Sequence, residues 1–387
     1  MITREAGIKL QRLAKQYPVI MLSGPRQSGK TTLCRKIFPE KKYVLFEDPD
    51  TRAFALADPR RFLAQFPDGA IFDEVQKAPE LISYLQGIVD AQKRKGMFIL
   101  TGSENLLLSE KIPQSLAGRT AVLKLLPFSY AEIAPALAKK NLDEILFTGF
   151  YPRIYDEHLD PHEAMGFYFQ TYIERDVREI VNVKDLLRFQ QFMKLCAGRI
   201  GQLLNLVSLS NEAGISHQTA RDWLSILEVS FIVFRLPPYY RNFNKRVTKS
   251  PKLFFYDVGF AAYLLGISNS GQMSRDPLRG NLFENMVVCE ILKGQLNRAR
   301  EGDLSFFRDS NGNEVDLLMP TRTGLGALEI KSGQTIVPDF FKGLNYFTKI
   351  AGEHLAKKYI VYGGDENQER SQGTVLSFRT GHTITDF

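Results

Sequence analysis

Cysteine is scarce in this sequence of 387 residues, and long apolar runs are absent from it. The three cysteines, Cys34, Cys196 and Cys289, lie far apart without metal-ligand spacing, so we expect buried thiols in a reducing compartment. No apolar run approaches the roughly 20 residues that a membrane span needs. The first residues, Met1–Glu5, lack the basic-then-apolar layout of a signal peptide. These absences predict a cytoplasmic protein with no membrane partner.

Length and charge set broad limits. A chain of 387 residues is long enough for two or three domains. A hydrophobic content of 44% with 24% charged residues is typical of a globular protein. The net charge of +7 favours an anionic partner such as nucleic acid, and it is equally compatible with a mildly basic surface.

A glycine-rich motif occupies Gly24–Thr31, with the sequence Gly-Pro-Arg-Gln-Ser-Gly-Lys-Thr. It follows a short apolar stretch, Pro18–Leu22, and precedes a segment of helical spacing, Thr32–Phe38. A strand, a glycine loop and a helix in this order form the context of a phosphate-binding loop. We therefore predict that backbone N–H groups of the loop bind phosphate, that Lys30 reaches the β- and γ-phosphates, and that Thr31 places its hydroxyl on Mg²⁺.

Two acids follow the apolar segment Ala70–Val75, about 40 residues after the loop. Asp73 is predicted to hold Mg²⁺ together with Thr31, directly or through water, and Glu74 to orient the attacking water. Lys30, Glu74 and Arg119 are the predicted catalytic residues. The predicted nucleotide contacts are Gly24, Pro25, Arg26, Gln27, Ser28, Gly29, Lys30, Thr31, Thr32 and Ser103.

Several polar residues have two interpretations. After the strand Met97–Leu100, a side chain among Thr101, Ser103 and Asn105 either touches the γ-phosphate or forms a helix cap or turn. Arg119 either senses the γ-phosphate, within or across subunits, or is a structural arginine. Arg175 and Arg178 either contact nucleotide or a neighbouring subunit, or belong to an exposed charge run.

The predicted fold class is α/β: a P-loop ATPase core with a parallel sheet, then a helical and winged-helix region, then a small nuclease-like α/β domain. Strands and helices alternate to about residue 125, with a helical excursion expected at 51–66. Ligand should bind at the carboxyl ends of the parallel strands. The predicted domains are the ATPase core at 1–127, a helical lid or linker at 128–200, a winged-helix-like domain at 201–278 and a restriction-endonuclease-like domain at 279–387.

The segment 207–256 has the pattern of a helix–turn–helix followed by a hairpin. Gly214 marks the turn, and Ser216 is placed to cap the second helix. The arrangement either contacts DNA, through His217, Gln218, Arg221 and the aromatic and basic loop 237–246, or serves as a structural lid on the ATPase. Asp257, after the last strand, is predicted to cap the next helix.

The segment 279–387 predicts the order helix, three strands, helix, strand. It places Asp316 at the start of one strand and Glu329 and Lys331 on the same face of the next, with Glu284 on the preceding helix. Two acids and a lysine so arranged are typical of a metal-dependent phosphodiesterase site. The alternative is a fold retained for binding or assembly.

The sequence resembles a prokaryotic family of AAA-type ATPases that carry a winged helix and a module of the restriction-endonuclease-like, or PD-(D/E)XK, fold at the C-terminus. The resemblance spans nearly the whole chain and lies in these stretches: Gly24–Thr31, Phe72–Gln76, Leu100–Ser103, Leu116–Arg119, Tyr172–Asp176, Phe255–Gly259, Gly280–Glu284, Glu314–Asp316 and Leu328–Ser332. One departure is Thr101–Ser103, which stands where many AAA ATPases have an asparagine.

This resemblance implies ATP binding and hydrolysis with ATP and Mg²⁺ as cofactors. ATP and ADP are the expected small-molecule partners, with DNA or further protein subunits as macromolecular ones, and an oligomer is compatible with the sequence. Three functions stay open at this point: an ATPase with a DNA-facing C-terminal half, an ATP-regulated nuclease, and a slow ATPase switch in an assembly without DNA contact.

Overall fold

The computed structural model describes residues 2–103, 116–173, 185–239, 248–300 and 302–385. The chain divides into two compact units. The first consists of Met1–Phe128 with the short segments Glu228–Phe231 and Leu296–Arg300, and the second contains the rest. In the described ranges no helix combines the length and the apolar character that crossing a membrane requires. The finer division into four domains stays a prediction.

The first unit is built on a five-stranded sheet in the order β2-β3-β4-β1-β5, with every pair parallel. Its strands are β1 (Val19–Ser23), β2 (Lys42–Leu45), β3 (Ala70–Asp73), β4 (Phe98–Gly102) and β5 (Thr120–Lys124). Its helices are α1 (Ala6–Ala14), α2 (Lys30–Ile37), α3 (Pro49–Ala57), α4 (Pro59–Leu63) and α5 (Leu81–Gln92). Because all strands run in the same direction, the ends of β1, β3 and β4 meet at one edge, where ligand was predicted to bind.

Apolar side chains cover both faces of this sheet, which explains why the central strands are almost wholly apolar. One face packs Phe46, Phe62, Phe72, Leu85 and Phe98 into a cluster with α3, α4 and α5. The other face packs Ile20, Leu22, Ile71 and Ile99 against residues of α1 and α2, including Leu10 and Leu33. The two layers hold the carboxyl edge of the sheet in place.

The helical excursion predicted at 51–66 is present, and it consists of two short helices, α3 and α4. Pro59 disfavours helical geometry at the preceding residue, Asp58. Asp58 is the residue that ends α3, and its carboxylate then accepts the backbone N–H of Arg61 as the cap of α4. The apolar spacing alone could not show this break.

The second unit begins with helices, as predicted for 126–200 wherever that segment is described. They are α6 (Tyr130–Leu137), α7 (Leu142–Thr148), α8 (Pro152–Asp156), α9 (Pro161–Thr171) and α10 (Leu186–Ala197). Arg175 and Arg178 lie outside the described residues. The unit continues with α11 (Leu206–Ala213), α12 (His217–Val229), β6 (Val233–Leu236), β7 (Lys252–Phe255), α13 (Val258–Leu264) and α14 (Ser270–Met273).

The helix–turn–helix elements and the hairpin lie where the sequence predicts them. Gly214 ends α11 in the left-handed region, with φ of 62°, and the hydroxyl of Ser216 accepts the backbone N–H of Thr219. Strands β6 and β7 pair antiparallel. Trp223 of α12 is buried in ring contact with Phe189 and Phe192 of α10. These ring contacts join α10 to α12, while assignment as a winged helix stays a prediction.

The remaining elements form a six-stranded mixed sheet in the order β12-β13-β11-β10-β9-β8. They are α15 (Arg279–Leu296), β8 (Ser305–Arg308), β9 (Glu314–Thr321), β10 (Gly324–Lys331), α16 (Lys342–Ala351), β11 (Leu355–Tyr362), β12 (Gln368–Arg370) and β13 (Gly373–Ser377). The order helix, three strands, helix, strand is therefore present as predicted. Strands β12 and β13 were not predicted. Strand β11 begins four residues before the apolar run at 359–362 that predicted it. Ala356 and Lys357 are exposed, so the first part of the strand has no apolar pattern that would mark it.

Candidate functional site

The glycine loop lies at the carboxyl end of β1 and leads into α2. Gly24 has φ of 153°, and a Cβ placed on it would lie 2.1 Å from the carbonyl oxygen of Leu125, so only glycine fits there. Gly29 has φ of 91° and directly precedes the first turn of α2. Lys30 opens that helix, and its buried ammonium donates to the carbonyl oxygens of Gly24 and Pro25, at 2.8 Å each.

The other loop residues have distinct surroundings. Arg26 forms a 3.4 Å ion pair with Glu47, and Gln27 adopts a left-handed conformation with φ of 60°. Ser28 is fully buried, and within the described ranges its hydroxyl has no hydrogen-bond partner. Thr32 lies exposed on α2. A buried hydroxyl of this kind in a glycine loop suits a phosphate oxygen as its partner.

Arg4, which was not predicted as a site residue, donates hydrogen bonds to the backbone of the loop. Its guanidinium donates to the carbonyl oxygens of Ser28, at 2.6 Å, and Leu126, at 2.7 Å, and lies 4.9 Å from the ring centroid of Phe128. The side chain is buried. No pattern in the sequence separates Arg4 from the other basic residues near α1, so this role could not be predicted.

Asp73 is the centre of the acidic end of β3. Its Oδ2 accepts the hydroxyls of Thr31, at 2.6 Å, and Tyr43, at 2.7 Å. Its Oδ1 accepts the hydroxyl of Thr101 and, at 3.1 Å, the backbone N–H of Glu74. The predicted pair of Thr31 and Asp73 is thus brought together, and hard oxygen donors of this kind are the ligands that Mg²⁺ prefers.

Tyr43 was missed because it lies mid-strand in β2, where a tyrosine is typical of any half-buried strand. Burial, together with the hydrogen bond to Asp73, raises the pKa of Tyr43 well above its usual range. The hydroxyl therefore keeps its proton and acts as a donor.

Glu74 follows at the end of β3 in a left-handed conformation, with φ of 54°. Its Oε2 accepts the side-chain amide of Gln76 and, at 3.2 Å, the hydroxyl of Ser103. Gln76 also contacts the hydroxyl of Ser103, at 3.1 Å. The polar residues after β4 therefore divide: Thr101 contacts Asp73, Ser103 contacts Glu74, and Asn105 lies outside the described residues.

Arg119 does not reach the loop of its own subunit, so that part of the prediction is wrong. It precedes β5, and its carbonyl oxygen accepts the backbone N–H of Val19, the first residue of β1. Since β1 and β5 are parallel, Arg119 lies at the amino edge of the sheet, opposite the glycine loop. There its guanidinium pairs with Asp90, which raises the pKa of Arg119 and lowers that of Asp90. A role across subunits stays a prediction.

The second predicted site, in the C-terminal sheet, brings three of its four residues into contact. The ammonium of Lys331 lies 2.5 Å from Oε2 of Glu329 and 3.3 Å from Oδ2 of Asp316, which also accepts the backbone N–H of Ile330 at 2.7 Å. Glu329 is buried beneath α16, where a Cβ on Gly343 would lie 1.8 Å from Oε1 of Glu329. Glu284, the fourth residue, has a different partner.

That partner is Lys252 of β7, which was not predicted. Its ammonium lies 2.8 Å from Glu284 and 2.5 Å from Glu314, and the residue is only 3% exposed. Glu314 also pairs with Arg308 at 2.9 Å. Lys252 lies more than 30 positions from either carboxylate, and Lys-Leu-Phe-Phe is an ordinary strand sequence, so no local signal marks it.

Burial dominates the electrostatics of this cluster. Burial, with the charge of Asp316, raises the pKa of Glu329 to about 9. Burial also raises the pKa of Glu284 to about 7, against the opposing effect of Lys252. The pKa of Asp316 is lowered because Lys331 and Lys252 outweigh the effect of its burial. Lysines fill the space between the acids, and among the described residues no group of three or more His, Cys, Asp or Glu has an arrangement that could hold a metal ion.

Two further predictions concern the helix–turn–helix region. His217, Gln218 and Arg221 are exposed at the start of α12. In the loop 237–246, residues 240–246 lie outside the described part of the chain. The prediction that Asp257 caps a helix is confirmed: its carboxylate accepts the backbone N–H groups of Phe260, at 2.9 Å, and Phe150, at 2.8 Å. Burial raises the pKa of this carboxyl.

The glycine loop after β1, the acids after β3 and the order of the parallel strands together define a P-loop nucleotide-binding domain. Its type is given by comparison with known families: residues 16–134 match the family model described as "AAA domain". The first unit thus carries an AAA-type P-loop ATPase domain, a class whose ligand is ATP. Residues 139–271 and 279–380 match two domains of unknown function, DUF8612 and DUF4143.

Relatives match most of the chain at low identity. An uncharacterized protein of Mycobacterium tuberculosis is 28% identical over 385 residues, which covers 99% of this chain and 84% of the relative. An uncharacterized protein of Methanocaldococcus jannaschii is 24% identical over 351 residues, covering 82% and 75%. Among solved structures, a Walker-type ATPase of Pyrococcus abyssi is 16% identical, with 68% of this chain and 96% of that chain covered and a TM-score of 0.46.

Proposed function

We propose that this protein is a Mg²⁺-dependent ATPase whose nucleotide state controls a C-terminal half that binds DNA or a protein partner. The observation that carries the proposal is the group at the carboxyl edge of the first sheet. There Thr31 of the phosphate loop and Asp73 of β3 are in direct contact, and Glu74 is adjacent. Phosphoryl transfer is largely positioning and charge neutralisation, so these few groups are sufficient for it.

In this proposal the loop N–H groups and Lys30 bind the phosphates of ATP, with the buried hydroxyl of Ser28 as a further donor. Thr31 and Asp73 hold Mg²⁺, which when bound neutralises charge on the phosphate oxygens. Glu74 orients the attacking water. Gln76 and Ser103 both donate to Oε2 of Glu74, so Oε1 is the oxygen that takes the proton of the water. The bond formed joins the water oxygen to the γ-phosphorus, the bond from the γ-phosphorus to the bridging oxygen breaks, and ADP leaves with that oxygen.

Glu74→Gln tests this assignment. Glutamine keeps the size of the side chain but is not a base, and general-base contributions are typically about 10²- to 10⁴-fold. We expect phosphate release to fall at least about 100-fold while ATP affinity, measured with a fluorescent analogue, is retained. Glu80→Gln, at an exposed position before α5, serves as the control and should hydrolyse ATP like the wild type. Wild-type hydrolysis by Glu74→Gln would contradict the assignment.

The proposal for the C-terminal half keeps the predicted division into a helical region at 128–200, a winged-helix-like domain at 201–278 and a nuclease-like domain at 279–387. The exposed residues His217, Gln218 and Arg221 and the net charge of +7 support contact with DNA. Salt-sensitive DNA binding would favour this function over a slow ATPase switch that acts in an assembly without DNA.

A second candidate function is an ATP-regulated, metal-dependent nuclease. The observation that favours it is the contact of Lys331 with both Asp316 and Glu329 in a sheet of the predicted strand order. In this role the acids would hold the metal and the lysine would stabilise developing charge. The lysine-filled state of the cluster and the helix over Glu329 argue instead for a module that binds and does not cut.

A cleavage assay separates these two functions. Labelled linear and branched DNA is incubated with the protein in Mg²⁺ or Mn²⁺, with and without ATP, beside Asp316→Asn, Lys331→Met and the exposed control Lys342→Met. For the nuclease we expect cleavage by the wild type and the control that both site variants lose. Intact DNA under every condition, with ATP hydrolysis retained, excludes the nuclease and leaves the module as a binding domain.

A further inference from the structure

The carboxylate of Asp73 is held by more groups than the P-loop motifs account for. A carboxylate has about four lone-pair positions. Here they accept Thr31 and Tyr43 on Oδ2, and Thr101 and the N–H of Glu74 on Oδ1. Asp73 is 3% exposed, so each of these contacts acts in a buried setting where hydrogen bonds are strong. Three of the four donors lie outside the glycine loop.

Tyr43 is placed to fix the orientation of this carboxylate. It belongs to β2, which pairs with β3 so that Leu45 lies opposite Asp73. Its ring packs with the cluster of α1 and α2, and the guanidinium of Arg35 lies 5.0 Å from the ring centroid. The ring therefore contacts both the apolar cluster and Arg35, and its hydroxyl donates to Oδ2 of Asp73 at 2.7 Å. A phenol held in this way orients its acceptor at little cost in side-chain entropy.

We propose that Tyr43 is a positioning residue for the metal-binding carboxylate, holding Oδ2 of Asp73 toward Thr31 so that ATP binding becomes Mg²⁺-dependent. This inference rests on the proposed function. The hydroxyl of Thr31 and Oδ2 of Asp73 are 2.6 Å apart. When the hydroxyl of Thr31 binds a cation, it no longer donates to Oδ2 of Asp73. Tyr43, Thr101 and the N–H of Glu74 still hold the plane of the carboxylate. The lone pair of Oδ2 that Thr31 vacated therefore continues to face Thr31. Removing a group that orients a metal ligand typically lowers the affinity for the metal about 10- to 100-fold.

The test is an equilibrium titration of a fluorescent ATP analogue, first in EDTA and then in increasing MgCl₂. Tyr43→Phe keeps the ring and its packing and removes only the hydroxyl. We expect its affinity in EDTA to equal that of the wild type, and the Mg²⁺ concentration for half-maximal enhancement to rise about tenfold. The matched control is Tyr84→Phe, on α5 of the same unit and 40% exposed, which should titrate like the wild type.

Thr101 supplies a second and independent variant. Its hydroxyl donates to Oδ1 of Asp73 from β4. Thr101→Val removes the donor and should also raise the Mg²⁺ requirement. Thr101→Ser restores the hydroxyl and should restore the wild-type titration, which a loss of packing alone would not explain.

The outcomes separate this inference from the proposed function. A half-saturating Mg²⁺ concentration unchanged in Tyr43→Phe overturns the positioning role, and so does an equal loss of affinity with and without Mg²⁺. If Asp73→Asn keeps the full Mg²⁺ response, the metal site of the proposed function is itself wrong. A response lost in Asp73→Asn but unchanged in Tyr43→Phe overturns the role of Tyr43 alone.

Discussion

Lys30→Ala is expected to lose ATP binding, the largest effect on ligand affinity that the structure predicts. Lys30 is buried at the start of α2, and its ammonium lies 2.8 Å from the carbonyl oxygens of Gly24 and Pro25. This position is within the loop that is proposed to bind the phosphates. Hydrogen bonds to charged groups contribute about 1.5–3 kcal/mol each, and 1.4 kcal/mol is about a factor of ten in affinity. Loss of contacts to two phosphates should therefore weaken ATP binding by at least about 100-fold.

The measurement is a titration with a fluorescent ATP analogue, with circular dichroism to confirm that the variant is folded. Lys36→Ala is the matched control, since Lys36 lies exposed on the same helix and should leave affinity unchanged. Wild-type affinity in a folded Lys30→Ala protein would refute the assignment of Gly24–Thr31 as the phosphate loop.

Lys252→Met is expected to give the largest loss of stability. The ammonium lies in a nearly solvent-free position between Glu284 and Glu314, and removing one partner of a buried ion pair typically costs about 3–5 kcal/mol. Guanidinium unfolding followed by fluorescence suits this variant, because the single tryptophan, Trp223, lies in the same unit. We expect the midpoint of that transition to fall well below that of the wild type.

The same prediction has a defined pH dependence. The pKa of Glu284 is about 7 in the folded state, above its ordinary value of 4.5, because the carboxyl is buried. Protonation of Glu284 therefore favours the folded state below about pH 4.5, and this contribution is lost as the pH rises through about 7. A neutral Glu284 has less need of the lysine, so the penalty of Lys252→Met should be smaller at pH 5 than at pH 8.

Two further variants complete the test of Lys252. Lys357→Met replaces an exposed lysine of β11 and should change stability by no more than about 0.5 kcal/mol. Lys252→Met combined with Glu284→Gln should recover part of the loss, since the uncompensated charge is then removed. Equal midpoints for Lys252→Met and wild type at pH 8 would contradict the buried ion pair.

The first sheet and its nucleotide residues could be predicted because their signals are local. A phosphate loop needs glycines at fixed positions. The two acidic residues, Asp73 and Glu74, stand at the end of a short apolar strand, which marks them in the sequence. The C-terminal strands with Asp316 and Glu329 were likewise marked by a turn and by alternation of side chains. These patterns are physical requirements of backbone geometry, so they are visible in a single sequence.

Contacts between distant segments could not be predicted in this way. Lys252 and Glu284 are far apart in sequence, and so are Arg4 and Leu126. Each such pair depends on how separate elements pack, and a basic residue in a strand or near a helix has many ordinary roles. Arg119 differs from these pairs, because it precedes β5 and the amino end of a parallel strand lies at the edge of the sheet away from the loop.

Hydrogen bonds link the phosphate loop and the end of β1 to Leu125 and Leu126, near the end of the segment Met1–Phe128. The N–H of Leu125 donates to the carbonyl oxygen of Ser23 at 2.8 Å, and Arg4 links the carbonyl oxygens of Ser28 and Leu126. The long segment Met1–Phe128 of this unit ends two residues further on. In mechanical terms, these hydrogen bonds connect the end of β1 and the loop directly to Leu125 and Leu126. Within the first unit, a displacement of the loop backbone at Ser28 is therefore shared directly with the backbone of Leu126 through the guanidinium of Arg4.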